Sequence, residues 1–254
     1  MSVEKLLDMT TAFIREKVYW RVILKDKNIV GSENNIWGFG IYDSPNPDIN
    51  DNRYYLELNH YGIDNNNKTL ITLLMNPSET FPCENDNSNI DDTILNVMKI
   101  AKALGIMSVI VLNTIPIINS KKELALKSLN KQKQRYNEMF VNGFLKHCDK
   151  ENTIFLAAWG ADKNINSFNK YSQTINTSFK DKIYSFSINK DMTPTHPSGF
   201  NNAQINAFLE KPELISIKQI NDDLTVIIWF VAWKSLHPRQ NDESECEIIA
   251  KDLK

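Results

Sequence analysis

The chain is poor in the features that mark special environments. None of its apolar runs approaches the about 20 residues that cross a bilayer, so no membrane span is expected. Its start, Met1-Ser2-Val3-Glu4, lacks a basic segment followed by an apolar stretch, and no secretory leader is expected. Cysteine is scarce. Cys83, Cys148 and Cys246 are odd in number for a disulfide framework and too scattered for a metal knuckle. A reducing cytoplasm is therefore the expected compartment. The four histidines, His60, His147, His196 and His237, lack ligand spacing, so no metal and no cofactor is implied. Positive charge is not in excess either. A formal net charge of −2 counts against a nucleic acid held by charge alone. It leaves open one gripped by loop amides and helix N-termini.

What is present describes a globular α/β protein. With 254 residues the chain can bury a sizeable core, and no break in composition divides it, so one domain over 1–254 is expected. Val3, Leu6, Leu7, Phe13 and Ile14 recur at helical spacing after Ser2, a candidate N-cap. Tyr19 to Leu24, Ile36 to Tyr42 and Tyr54 to Leu58 read as strands broken by Gly, Asn and Pro. The polar stretches Pro45–Asn52 and Asp64–Asn67 read as loops. Leu70–Met75, Ser108–Leu112, Thr153–Ala158 and Ile183–Phe186 are short apolar runs suited to buried parallel strands.

Helical stripes separate those runs. One passes through Ile90, Ile94, Val97, Met98, Ala101 and Leu104, with Gly105 placed to end it. Another is marked by Tyr136, Met139, Phe140, Phe144 and Leu145, and a third lies near Phe168–Phe179. Alternating strands and helices imply a three-layer α/β/α fold around a mainly four-stranded parallel sheet. Ala203–Leu209 adds a short helix. Leu214–Gln219 and Thr225–Trp233 form an antiparallel pair across Asn221-Asp222-Asp223, followed by an acidic tail from Asn241.

Ligands of open α/β sheets bind outside the carboxyl ends of the strands. Four polar clusters fall at such ends: Asn76-Pro77-Ser78-Glu79, Asn113-Thr114, Trp159-Gly160, and Thr195-His196-Pro197-Ser198-Gly199-Phe200. Each alone has a plainer reading. Asn76-Pro77 can be a turn that ends a strand, Asn113 a cap, Trp159 core packing and His196 a surface loop residue. Their convergence on one rim makes the plain reading of the whole set much weaker than that of any part.

Met75-Asn76-Pro77-Ser78, Ile110-Val111-Leu112-Asn113-Thr114, Phe155-Leu156-Ala157-Ala158-Trp159-Gly160 and His196-Pro197-Ser198 resemble, in order, the motifs of the uracil-DNA glycosylases. With Asp91-Asp92-Thr93 the set also looks like domain-of-unknown-function family 1643, taken as a branch of that superfamily. The resemblance covers about residues 54–210, leaving 1–53 as an extension and 211–254 as a hairpin and tail. It implies that Asn76 positions water, Asn113 reads the base edge, and His196 bonds the carbonyl of the departing base. It implies that Phe200 enters the duplex in place of the flipped nucleotide, with Ser198 and Gly199 on the DNA. Met75, Ser78 and Trp159 would line the base pocket, and Phe81 would offer a stacking face.

Two departures shape the expected function. Asn76 stands where the uracil enzymes carry an aspartate, and an amide cannot take a proton. Glu79, Asp91 or Asp92 would then supply the base, although Asp91 and Asp92 also suit N-capping of the next helix. Ser78 stands where those enzymes carry a tyrosine that excludes 5-substituents, which leaves room for a modified pyrimidine. Three functions are open. The leading one is excision of a 5-modified pyrimidine from double-stranded phage DNA in defence, needing no protein partner. Repair of uracil or another deaminated base is the second, and binding of nucleic acid or nucleotide without chemistry the third. A nucleoside hydrolase is a remoter option, disfavoured if Phe200 is exposed.

Overall fold

The computed structural model describes residues 3–14, 18–25, 36–60, 68–78, 90–160, 169–221 and 226–229. Nine strands form one sheet: β1 (Tyr19–Lys25), β2 (Ile36–Tyr42), β3 (Arg53–His60), β4 (Thr69–Leu74), β5 (Ser108–Asn113), β6 (Thr153–Ala157), β7 (Ile183–Ser185), β8 (Ile215–Ile220) and β9 (Val226–Trp229). Their order is β1-β2-β3-β5-β4-β6-β7-β8-β9. The four middle strands, β5-β4-β6-β7, are parallel, and both flanks are antiparallel. This is the expected three-layer architecture with a four-stranded parallel centre.

Side-chain alternation assigns each middle strand to two cores. Ile71 and Leu73, Ile110 and Leu112, and Phe155 and Ala157 point to one face, while Leu70 and Leu74, Val109 and Val111, and Leu156 and Ala158 point to the other. Helix α1 (Val3–Ile14), α4 (Lys131–His147) and α5 (Asn169–Phe179) cover the first face with Leu6, Phe140, Phe144, Tyr171 and Ile175. Helix α2 (Asp92–Ala103) and α6 (Asn202–Glu210) cover the second with Ile94, Val97, Met98, Ile205 and Phe208. Burial of each such side chain contributes about 1.5–3 kcal/mol.

The helix ends follow local chemistry. Asp91 caps α2 by accepting the Ile94 N–H at 3.1 Å. Gly105, at φ +68°, ends it as expected, with the Ile106 N–H on the Ala101 carbonyl and the Gly105 N–H on that of Lys102. Asn130 starts α4 earlier than its apolar stripe suggests, by accepting the Lys133 N–H at 2.8 Å. Helix α3 (Lys122–Ser128) is an addition that the sequence does not announce. It has seven residues and no side-chain cap, and it buries only Ala125.

Several expectations lie outside the described residues: the Ser2 cap, the loop 64–67, Phe168, the turn at 222–223, the tail from Asn241, and Cys83 and Cys246. No helix among the described residues is long and apolar enough to cross a membrane.

Candidate functional site at the strand ends

Hydrogen bonds beyond the last ladder rungs lock the loops after β4 and β5 together. The Thr114 N–H reaches the Leu74 carbonyl at 2.9 Å, the Ile115 N–H that of Met75 at 2.8 Å, and the Asn119 N–H that of Pro77 at 2.8 Å. Across the sheet, the segment after β6 is tied to the loop after β7 by the Gly160 N–H on the Pro194 carbonyl, 3.0 Å. Between these pairs opens a cavity of about 390 Å³. Met75, Asn76, Ser78, Trp159, His196 and Ser198 line it, so six of the thirteen residues expected at the site meet there.

Asn76 is oriented by its neighbours. Its Nδ2 donates to the Asn119 carbonyl at 2.6 Å and to that of Pro77 at 3.2 Å. The side-chain oxygen is left as the acceptor available to a ligand or water. On the opposite wall, His196 caps the short 3-10 turn Pro197–Gly199. Its Nδ1 accepts the Ser198 N–H at 3.2 Å and lies 2.8 Å from the Ser198 hydroxyl. A ring nitrogen that accepts a backbone N–H carries no proton, so the neutral ring holds its proton on Nε2. Burial pushes the His196 pKa down to about 4, against a smaller opposing pull from Asp91, so the ring is neutral at pH 7.

Gly160 lets this wall form. Its φ is +88°, and a Cβ there would stand 3.2 Å from the His196 Cβ. Asn96 of α2 holds the same loop, donating to the Pro197 carbonyl at 3.0 Å.

Arg53 and its partners reshape the floor. The Arg53 side chain is fully buried, lines the cavity, and donates from Nη2 to the Asn113 Oδ1 at 3.2 Å. Burial lowers its pKa, while Tyr42 and Asp91 act in the opposite sense. Asn113 itself is buried and is not among the residues lining the cavity, so the expected base-reading amide sits behind a guanidinium. Arg53 begins β3, outside every motif that pointed to the site, and is brought there by the β3–β5 pairing and by its N–H on the Pro116 carbonyl, 2.8 Å. Asn119, Ser120 and Lys122 are further lining residues that no motif signalled.

The carboxylates divide. Asp91 accepts the Ile94 N–H on Oδ1 and the Ser78 hydroxyl on Oδ2, so it acts as the helix cap that its position also suited. Asp92 is exposed in the first turn of α2. Glu79 and Phe81 lie outside the described residues.

Ser198 and Gly199 are exposed. Phe200 is not the exposed wedge the resemblance implied. It is buried in the core, its ring 4.1 Å from that of Phe186. Trp159 is 2% exposed within the core and also lines the cavity. Among the described residues no His, Cys, Asp and Glu cluster could hold a metal.

No curated protein matches this chain. Similar solved structures include a putative acetyl xylan esterase from Bacteroides fragilis, at 13% identity and a TM-score of 0.33, covering 82% of this chain and 65% of that one. They also include a glucuronoyl esterase from Solibacter usitatus, at 10% identity and a TM-score of 0.31, covering 70% of this chain and 64% of that one. The chain thus spans slightly less than two thirds of either. The model of a family described as a protein of unknown function, DUF1643, matches residues 53–198. That span is more than half of the chain and runs from Arg53 on the cavity floor to Ser198 beside His196, and this protein belongs to the DUF1643 family.

Proposed function

We propose that the cavity hydrolyses the N-glycosidic bond of a pyrimidine turned out of double-stranded DNA, leaving an abasic site. The substrate class is a 5-modified pyrimidine such as glucosylated hydroxymethylcytosine in phage DNA, and the setting is anti-phage defence in the cytoplasm. The observation that carries the reading is the neutral His196, its Nε2 proton set by the Ser198 turn, on a cavity shared with Asn76. The volume of about 390 Å³ suits a single base.

Each group has a part in that reaction. As the C1′–N1 bond breaks, its electron pair goes to the base and negative charge collects on O2. The Nε2–H of His196 stabilises that charge without giving up its proton. The Asn76 oxygen orients a water whose own oxygen bonds to C1′, and the water's proton leaves to the base or to solvent. Arg53, always charged, adds a favourable field at the cavity floor. Ser78, small and bound to Asp91, leaves space that a larger side chain would fill.

Matched duplexes carrying uracil, cytosine, 5-hydroxymethylcytosine or its glucosylated form test this, with abasic sites scored by alkaline cleavage. Cleavage confined to the modified cytosines is expected, reduced by about 10²-fold or more in His196→Ala and Asn76→Ala. Cleavage of uracil alone moves the protein to repair. A second reading, binding without chemistry, is favoured by Asp91, whose two oxygens are both committed to structure. Binding with no product from any substrate would select it.

A further inference from the structure

The net charge of −2 hides an uneven distribution. From Lys121 to Arg135 there are six basic residues (Lys121, Lys122, Lys127, Lys131, Lys133 and Arg135) and one acidic residue, Glu123. They occupy α3 and the start of α4. The fold brings this stretch to the cavity. Lys122 lines the cavity itself, next to Ser120 and Asn119. Gln134 donates to the Thr114 carbonyl at 3.3 Å and Asn137 to that of Asn113 at 2.8 Å, which seats the beginning of α4 against the end of β5. Lys127, Lys131 and Arg135 are exposed, and the last two line a shallow groove of about 1090 Å³ along α4.

We propose that this face, starting at Lys122 and leading away over Lys127, Lys131 and Arg135, carries the phosphate backbone of the nucleic acid whose base enters the cavity. The inference rests on the reading of the cavity as a base pocket. A partner that fits both features repeats its anions along the surface and presents a planar heterocycle to the cavity. An acidic protein supplies the first and not the second. A helix of seven residues is about 10 Å long, and each strand of a duplex places one phosphate per about 3.4 Å of axis, so α3 alone spans about three phosphates.

The test is the salt dependence of binding to a fluorescein-labelled duplex free of modified bases, read by anisotropy between about 50 and 200 mM KCl. The Lys127→Gln, Lys131→Gln, Arg135→Gln triple variant is compared with a charge-matched one, Lys68→Gln, Lys150→Gln, Lys180→Gln. The control residues precede β4, β6 and β7, at the opposite ends of the strands. The first triple variant is expected to lower the slope of log K against log salt by about 2–3, and the control to leave it unchanged.

Equal slopes and affinities in the first triple variant and the wild type would overturn the inference, as would an equal loss in the control or no salt dependence at all. If the triple variant fails to melt cooperatively, Lys127→Gln and Arg135→Gln singly decide, each expected to remove about one unit of slope. The readout needs no base release. Salt-dependent binding on this face without any abasic product retires the glycosylase reading alone. Base release with an unaltered slope in the triple variant retires this inference alone.

Discussion

The two ends of the parallel strands differ in how many polar atoms they bury unpaired. Before β6, Asp149 accepts the Glu151 N–H at 3.0 Å and the Asn152 side chain at 2.9 Å, and Lys182 donates to the carbonyls of Lys150 and Glu151, all at the exposed surface. Beyond the other ends, Asn113, Thr114 and Asn119 are buried. There the Asn113 Nδ2 and the Gln134 Oε1 are buried without a partner among the described residues, against the His60 Nδ1 at the opposite ends. Each such atom costs about 1–3 kcal/mol. More of the unpaired atoms lie on the cavity side.

Acid should break the comparison most sharply. With its pKa pushed down by burial to about 4, against 6.5 in an unfolded chain, His196 takes up a proton on unfolding throughout that window. Stability is complete above about pH 6.5 and falls as pH drops toward 4, by up to about 3 kcal/mol from this group, then levels off. Burial displaces His60 in the same direction and steepens the fall. Urea melts of the wild type and His196→Gln across this range check it; the variant should lose less.

Asn113→Leu comes next. It removes the acceptor of the Arg53 Nη2 and is expected to cost about 2–3 kcal/mol by denaturant midpoint. Gly160→Ala follows at about 1–2 kcal/mol, since alanine is strained at φ +88°. The new methyl would also displace His196, so the variant should bind or turn over its ligand less well than its melting alone explains. At the other end Asp149→Ala should change stability by no more than the about 0.5 kcal/mol of ordinary surface substitutions, with binding unaffected.

The sheet was legible because buried parallel strands leave short apolar runs, and because Gly105 ends its helix through a left-handed conformation that few other residues adopt. The rim was legible because Asn76 and Trp159 stand directly after such runs and His196 lies in the loop that follows the fourth. What was hidden depends on pairing across long separations. Arg53 is sixty positions before Asn113 in the chain, and nothing near it announces a cavity. Phe200 looked available because its partner Phe186 is supplied from the end of another strand. Helix α3 stayed hidden because it lacks both a cap and an apolar stripe long enough to show a period.

Asp91 holds two obligations at once, the start of α2 and the hydroxyl of Ser78. Ser78 can offer its proton to an occupant of the cavity only by withdrawing it from that carboxylate. Any gain from such a contact is therefore a net exchange, reduced by what the helix anchor loses. An occupant that leaves Ser78 alone keeps its full binding energy. Selectivity at this corner thus works by subtraction, favouring a partner that passes the serine without asking it for a hydrogen bond.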